Sequence, residues 1–521
     1  MSKKINLCIC AALFFSLHVF LPNKAFAKNK KHQGAVNGAK PIRAVEPVAT
    51  LESKNKSGMT VVTSGKLVES LRAKMKPLVQ SSGLSESQMS LYVGLASNEN
   101  PQEILNVQGK KKIIPASVTK LVTAGAVIHH FPPGFKFKTT LLSNAKVENG
   151  VLKGDLYLKG GGDPSFVSET MWYLVNVFTR QQIQSVEGKI IVDDSLFDRQ
   201  RFDSSRQKER VDRAYDAPTG AMSFNWNSIN IFIRPGQKSG EEAKVFADPE
   251  SDYIRLKNNV KTTGEGGKTS VAADRDEDSV GGGDMVQVSG HIASDSKEIA
   301  IYKNVTQPDL WSGANLKYFL RQRGIQVRGE VVAGVAPENA KVLAEAESKS
   351  IESILADMDK FSNNYVAEML TKNLGTLVDK PGSITKGMTL LNQYMKSLSI
   401  SEDQYELYNP SGLTRQNKLS AFALWNVLND IKQTFKYQPE FISSLPIAGI
   451  DGTLKNRMRN TAGERWVRAK TGYLTGVVAL AGFAGRTDGT IVPFVFIYNG
   501  STDESKVRLI FDKFATALVQ D

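Results

Sequence analysis

The chemistry open to this chain rests on three short patterns. Ser117-Val118-Thr119-Lys120 places a hydroxyl and an amine three residues apart. On a helix that spacing puts both side chains on one face, so the amine can reach the hydroxyl. A lysine desolvated near other cations gives up its proton more readily and can serve as the base for a serine nucleophile. Ser-x-x-Lys occurs six times, at Ser53, Ser117, Ser143, Ser205, Ser294 and Ser383. Only the copy at Ser117 opens a strongly apolar run, Val118–His130. A helix there would bury the lysine and set Ser117 at its N-terminus, where backbone N–H groups favour an oxyanion. The same residues also suit a plain N-cap with a surface lysine. Ser362-Asn363-Asn364 supplies a hydroxyl and an amide two residues apart at the start of a helical segment. Lys470-Thr471-Gly472 lies in a β-like run, where a cation and a hydroxyl beside a glycine suit a carboxylate. Each has an ordinary alternative, an N-cap for one and an exposed Lys-Thr pair for the other. Their order along one chain, each in the setting its chemistry needs, makes them stronger together.

Competing chemistries find little in the sequence. The two cysteines, Cys8 and Cys10, lie in an N-terminal segment with Lys3 and Lys4, an apolar run from Ile5 to Leu21 and Ala25-Phe26-Ala27. These are the basic, apolar and small-residue parts of a signal peptide over residues 1–27. Cleavage after Ala27 leaves 494 residues with no cysteine and lowers the formal charge from +13 to +10. Disulfides, thiol catalysis and cysteine metal sites are then excluded. Four histidines remain, His32, His129, His130 and His291, without an H-E-x-x-H pattern. A zinc hydrolase or a Ser-His-Asp triad is poorly supported. No metal or organic cofactor is implied.

The elements that must position the patterns are legible in outline. Residues 28–60 carry seven Lys/Arg against Glu46 and Glu52 and read as a flexible basic leader. A basic tail can bind nucleic acid; an exported address favours an anionic wall or membrane surface, touched at most peripherally, and plain solubility accounts for the charge more simply still. Order is expected after residue 60. Strands are expected over Ser90–Ser97, Glu103–Val107, Phe137–Leu142 and Val151–Leu158, and helices over Val118–His130 and Met171–Thr179. Between about 186 and 340 short β-like runs dominate, with a helix over Leu310–Arg323 and a mobile loop over Thr262–Asp284. Helical periodicity returns from about 345, and the chain ends in strands Val467–Thr471, Val477–Gly485 and Ile491–Tyr498, followed by an amphipathic helix. Helices and strands contributed by both chain ends suggest one α/β domain interrupted by an inserted β-rich unit.

With S-x-x-K, S-x-N and K-T-G in that order, the chain resembles the penicillin-binding proteins and serine β-lactamases. The separations, 245 residues from Ser117 to Ser362 and 108 from Ser362 to Lys470, resemble the D-alanyl-D-alanine carboxypeptidase/endopeptidases of the PBP4 (DacB) type, peptidase family S13. In that family extra domains separate the first two motifs. Gly161-Gly162-Asp163-Pro164 resembles its glycine-Asp-Pro turn, and Ser223-Phe224-Asn225-Trp226-Asn227 its asparagine-bearing strand. Ser411-Gly412-Leu413-Thr414-Arg415 and Ala448-Gly449-Ile450-Asp451-Gly452-Thr453-Leu454 resemble two further segments. Asn409-Pro410 departs from the family's usual Asp-Gly, and the bulky Tyr473 stands where small residues are common.

The resemblance implies an α/β (α+β) fold: a β-lactamase/transpeptidase-like domain with an antiparallel sheet flanked by helices, over residues 61–145 and 341–521, interrupted by inserted β-rich domains over 146–340. It implies a serine DD-peptidase acting on peptidoglycan stem peptides in the periplasm or cell envelope, with β-lactam antibiotics as covalent inhibitors. Ser117 would be the acylated nucleophile and Lys120 its base. Ser362 would relay the proton to the leaving amine, and Asn364 would hold the substrate amide. Lys470 and Thr471 would bind the terminal carboxylate, and the N–H groups of Ser117 and Tyr473, beside Gly472, would form the oxyanion hole. For a diaminopimelate side chain the resemblance implies Asp163 at its amine and Arg415 at its carboxylate. Asp163 is also a natural turn-former before Pro164, and Arg415 could equally serve a structural ion pair. A β-lactamase and a catalytically idle wall-binding scaffold are the rival readings. The long insertion opposes the first, and the intact Ser117, Lys120, Ser362 and Lys470 oppose the second.

Overall fold

The computed structural model describes residues 64–96, 101–205, 212–278 and 282–519. The expected signal peptide and basic leader lie outside the described residues. At the centre is a five-stranded antiparallel sheet built from both ends of the chain. Its order is Gln102–Val107, Met89–Leu95, Ile491–Asn499, Val477–Gly485 and Val467–Leu474. The sheet is buried on both faces because its strands alternate between two cores. Val495 and Ile497 pack on one side with Ala479, Ala481 and Phe483. Phe494, Phe496 and Tyr498 pack on the other with Val478 and Leu480.

The second core is closed by two helices. Ser64–Gln80 supplies Leu67, Val68, Leu71 and Met75, and the C-terminal Glu504–Val519 supplies Val507, Phe511, Phe514 and Leu518. The sequence anticipated the second of these, apolar stripe included, but gave no helix over Ser64–Gln80. The first core is closed by Lys120–His130, Ile351–Lys360, Asn364–Val378, Ile384–Ser397 and Ala421–Gln433. Trp425, wholly buried, donates its indole N–H to the Gly94 carbonyl at 3.3 Å, tying a helix of this layer to the sheet. These residues make a three-layer α/β/α body, as expected.

The segment between the first two motifs builds its own sheets and cores. One sheet has the order Val331–Gly334, Ile190–Asp193, Leu156–Lys159, Lys138–Ser143 and Lys341–Glu347. Its first three strands are parallel, which requires crossover connections. Helices Ser168–Thr179 and Pro308–Gln322 provide them, packing Trp311, Phe178 and Leu316 on the sheet. Lys138–Ser143 and Lys341–Glu347 pair with each other. Strands expected to belong to the catalytic part thus sit in the inserted layer, which reaches to Lys138 on one side and Glu347 on the other. The insertion is α/β here, and its two expected helices are present as Ser168–Thr179 and Pro308–Gln322.

Two expectations are corrected. The proposed loop Thr262–Asp284 contains a strand, Ser270–Asp278, paired antiparallel with Gly283–Ala293 from Ser270↔His291 to Asp278↔Gly283. Its apolar content is small, but Val271 and Ala273 alternate toward a core of Val260, Val286 and Val288. Backbone pairing does the rest. The segment Ser223–Asn227 is not a strand. Asn225, Trp226 and Asn227 all have positive φ, and a strand begins only at Ser228. Asn227 Nδ2 donates to the Pro218 carbonyl and to Ser223 Oγ, both at 2.8 Å, and closes the turn from within.

Candidate active site

The Ser-x-x-Lys segment is a 3-10 turn, Ala116–Thr119, running into the buried helix Lys120–His130. Ser117 therefore stands one turn ahead of the α-helix proper. Ala116 enters that turn at φ +51°, the kind of local strain that persists only where surrounding packing fixes it. Lys120 is wholly buried. Its Nζ lies 3.2 Å from Ser117 Oγ and donates to Asn364 Oδ1 at 2.7 Å and to the Ser411 carbonyl at 2.6 Å. The snorkelling alternative for this lysine does not apply. Two other copies of the pattern have local employment: Ser383 caps the Lys386 N–H, and Ser143 donates to the Asp155 carbonyl.

The second pattern comes from a helix start. Asn363, not Ser362, is the N-cap, accepting from Val366 N–H at 3.2 Å. Ser362 stands just outside at φ +55°, which leaves its hydroxyl for other partners. Lys470 Nζ donates to Ser362 Oγ at 2.8 Å and to the carbonyl of Thr471 at the same distance. Asn364 bridges back to the first pattern through Lys120. Its Nδ2 donates to the Tyr215 carbonyl at 3.3 Å, so the inserted segment supplies part of the wall.

The third pattern lies on Val467–Leu474, the sheet's edge strand. Lys470 is wholly buried while Tyr473 is 46% exposed, at the opening. Arg508 stacks 5.7 Å over the Tyr473 ring. A Cβ at Gly472 would lie 2.8 Å from the Pro115 carbonyl and 3.3 Å from Ala116 Cβ. A glycine there lets the strand close onto the Ser117 turn. Thr471 Oγ1 donates to Thr453 Oγ1 at 2.9 Å. The Ala448–Leu454 segment thereby acts as a buttress, pinned by Asp451, whose Oδ1 accepts from Ile447 N–H at 2.8 Å and Oδ2 from Lys360 Nζ at 2.6 Å. Burial pushes the Lys470 amine below its ordinary range, and the nearby Asp359 carboxylate opposes that shift.

Six of the expected residues, Ser117, Lys120, Ser362, Asn364, Lys470 and Thr471, are thus joined in two hydrogen-bonded groups, with Gly472 packed against the first. Arg415 is exposed and donates to the Thr475 carbonyl at 2.6 Å, just beyond the end of the same edge strand. Asp163 is placed differently. It is 97% buried, and its Oδ1 accepts from both the N–H and the hydroxyl of Ser165 at 2.7 Å. Burial pushes it up to about 6, against the Ser165 hydrogen bonds and the charge of Lys349. These contacts form a turn, and among the described residues no hydrogen bond links Asp163 to the Ser117 group. Sequence reasoning missed the backbone acceptors at Ser411 and Tyr215, which carry no side-chain signal. It also gave no role to Thr453, whose segment was noticed without one.

A half-buried serine beside a wholly buried lysine, next to the sheet's edge strand, suits a serine hydrolase. The model of the D-Ala-D-Ala carboxypeptidase 3 (S13) family matches residues 71–519, and the chain belongs to that family. It is 28% identical to a D-alanyl-D-alanine carboxypeptidase of Actinomadura sp. (strain R39) over 433 residues, 80% of this chain and 79% of the relative. It is 27% identical to D-alanyl-D-alanine carboxypeptidase DacB of Haemophilus influenzae, covering 80% of this chain and 87% of the relative. The crystal structure of penicillin binding protein 4 (dacB) from H. influenzae superposes with a TM-score of 0.69 at 25% identity, covering 87% of this chain and 98% of that one. A second structure of that protein is complexed with a β-lactam and superposes with a TM-score of 0.66 at the same identity and coverage. The protein is thus a D-Ala-D-Ala carboxypeptidase of the S13 family, a serine hydrolase, with the transpeptidase-like fold expected from the motifs.

Proposed function

We propose that the protein hydrolyses peptidoglycan stem peptides through an acyl-Ser117 intermediate, releasing terminal D-Ala and opening D-Ala–diaminopimelate crosslinks. The observation that carries this reading is the set of partners around Lys120. A neutral lysine amine has two N–H groups and one lone pair. Asn364 Oδ1 and the Ser411 carbonyl can take both N–H groups, which leaves the lone pair for the Ser117 hydroxyl 3.2 Å away. Ser117 Oγ attacks the carbonyl of the penultimate D-Ala and its proton passes to Lys120. The oxyanion is received by the backbone N–H groups of Ser117 and Tyr473. The C–N bond then breaks as the leaving amine takes a proton from Ser362, which is made good by the proton that Lys120 received, so Lys120 is neutral again and Lys470 remains the ammonium 2.8 Å from Ser362 Oγ. Water hydrolyses the ester in a second pass with Lys120 again as base. Lys470 and Thr471 hold the terminal carboxylate. The outer edge of the strand beyond Lys470 suits an extended peptide adding as a sixth strand.

The expected signal peptide and the charge of +10 on the chain without it fit an exported enzyme working on an anionic wall. Among the described residues no helix is long and apolar enough to cross a membrane. The test is incubation with fluorescent penicillin, followed by assay on purified muropeptides. A stable covalent label, with release of D-Ala and cleavage of crosslinked dimers, is expected. No label would sink the reading, and rapid turnover of the label would mark a β-lactamase instead. Arg415 extends the proposal to the side chain of the substrate. Exposed next to the edge strand, it suits the free carboxylate of diaminopimelate. Arg415→Ala is expected to lower kcat/KM by about tenfold or more on diaminopimelate peptides, and less on a lysine-amide analogue. Equal loss on both would contradict that assignment.

A further inference from the structure

Asp359 ends the last turn of Ile351–Lys360, three residues before Ser362. It is wholly buried. Its Oδ2 has the Ser444 hydroxyl at 3.1 Å. Its Oδ1 is buried and has no hydrogen-bond partner among the described residues. A buried carboxylate in this state costs several kcal/mol unless charge nearby offsets it. The amines facing it belong to three lysines: Lys470 from the edge strand, Lys120 from the serine–lysine helix, and its own neighbour Lys360. Lys360 is already neutralised by Asp451 at 2.6 Å, and Lys120 is committed to Asn364, Ser411 and Ser117. Among the described residues, Lys470 is hydrogen-bonded to neutral oxygens alone, those of Ser362 and its own strand.

We propose that Asp359 is a positioning residue of this active site, its buried carboxylate holding Lys470 as the ammonium that receives the terminal carboxylate of the substrate. The inference rests on the role given above to Lys470. A lysine at the bottom of a dry site otherwise sheds its proton, and a neutral amine binds a carboxylate poorly. Burial drives the two groups toward a neutral pair, raising Asp359 and lowering Lys470, while their attraction opposes both shifts. Among the described residues no hydrogen bond joins Asp359 to Ser362 or Lys470, so it acts on Lys470 through its charge. Once the carboxylate of the substrate arrives, it supplies a second negative charge and secures the ammonium further.

The test is the pH profile of covalent penicillin capture, measured as the second-order rate constant. Penicillin carries the carboxylate that Lys470 would bind. Asp359→Asn keeps shape and the Ser444 contact but removes the charge. The alkaline limb, where Lys470 loses its proton, is expected to move down by on the order of one pH unit, with a smaller change in the rate at the plateau. A uniform fall in rate with the limb unmoved would show a packing role and overturn the inference. Should Asp359→Asn not fold, Ser444→Ala serves. Removing the hydroxyl beside the carboxylate disfavours its ionised form, so the limb should move the same way by less; an unmoved limb there overturns it equally. Absence of capture by the wild type would overturn both this inference and the acylation mechanism. A wild-type profile whose alkaline limb the variant shares overturns only the inference.

Discussion

Lys120→Arg is expected to lose covalent penicillin capture almost as completely as Ser117→Ala. Arginine keeps the charge, the length and the donors that would satisfy Asn364 Oδ1 and the Ser411 carbonyl. It cannot accept a proton, because a guanidinium stays protonated at any working pH. If Lys120 acts only as a positive charge beside Ser117, arginine should preserve much of the rate. If it is the base, the rate should fall by about 10³-fold or more, in the range of general base catalysis with added misplacement of the nucleophile. Ser117→Ala removes the nucleophile itself and should leave no covalent adduct by mass spectrometry. The two substitutions answer different questions. The serine variant locates the bond, and the arginine variant assigns the proton. More than a tenth of the wild-type capture rate in Lys120→Arg would exclude Lys120 as the base. The distances make the prediction sharp, since Lys120 Nζ is the basic atom held at 3.2 Å from Ser117 Oγ, within a wholly buried side chain.

How far this site could be read from sequence depends on the kind of group concerned. Ser117, Lys120, Ser362 and Lys470 announce themselves because each is a chemically distinctive side chain at fixed spacing from another. The strand Val477–Gly485 was legible to the residue, since continuous small and branched apolar residues bounded by glycines suit a strand buried on both faces. Three kinds of feature were not legible. The carbonyls of Ser411 and Tyr215 hold Lys120 and Asn364 through backbone atoms that any residue would offer. Asp359 carried no signal in the sequence, and it is buried where the helix Gln438–Ser444 packs on Ile351–Lys360 and sets the Ser444 hydroxyl 3.1 Å from its carboxylate. The membership of Lys138–Ser143 in the inserted sheet depends on pairing with a strand some 200 residues later, information no local window contains. The strand at Ser270–Asp278 was missed because pairing with a neighbour stabilises a polar strand that its own composition does not. Ser64–Gln80 went unnamed as a helix, with Pro77 in its last turn and many charges along it.

Gly412→Ala is expected to disable the enzyme without substituting any residue of the three motifs. Gly412 has φ +74°, and a Cβ built there falls 2.0 Å from the carbonyl oxygen of Ala116 and 2.8 Å from Thr119 Oγ1. Both neighbours belong to the turn that carries Ser117. Neither can yield easily. Ala116 is itself held in the left-handed region at φ +51°, and Thr119 Oγ1 already donates to the Ala116 carbonyl at 2.9 Å. On the other side, the carbonyl of Ser411 is the one that accepts from Lys120 Nζ. Asn409 holds that residue in turn, its Oδ1 accepting from the Ser411 N–H at 2.9 Å and from its hydroxyl at 2.6 Å. A single methyl group therefore pushes apart the two segments that present the nucleophile and fix its base. The left-handed conformation alone costs alanine about 1 kcal/mol, and overpacking against backbone typically adds 1–3 kcal/mol. A loss of roughly 2–4 kcal/mol in unfolding free energy should appear in a denaturant titration. The capture rate should fall by about 10²-fold or more even in protein that remains folded, because displacing a nucleophile by an ångström forfeits near-attack geometry. Wild-type stability together with wild-type capture in Gly412→Ala would mean that the close contact between these two segments is not maintained in solution.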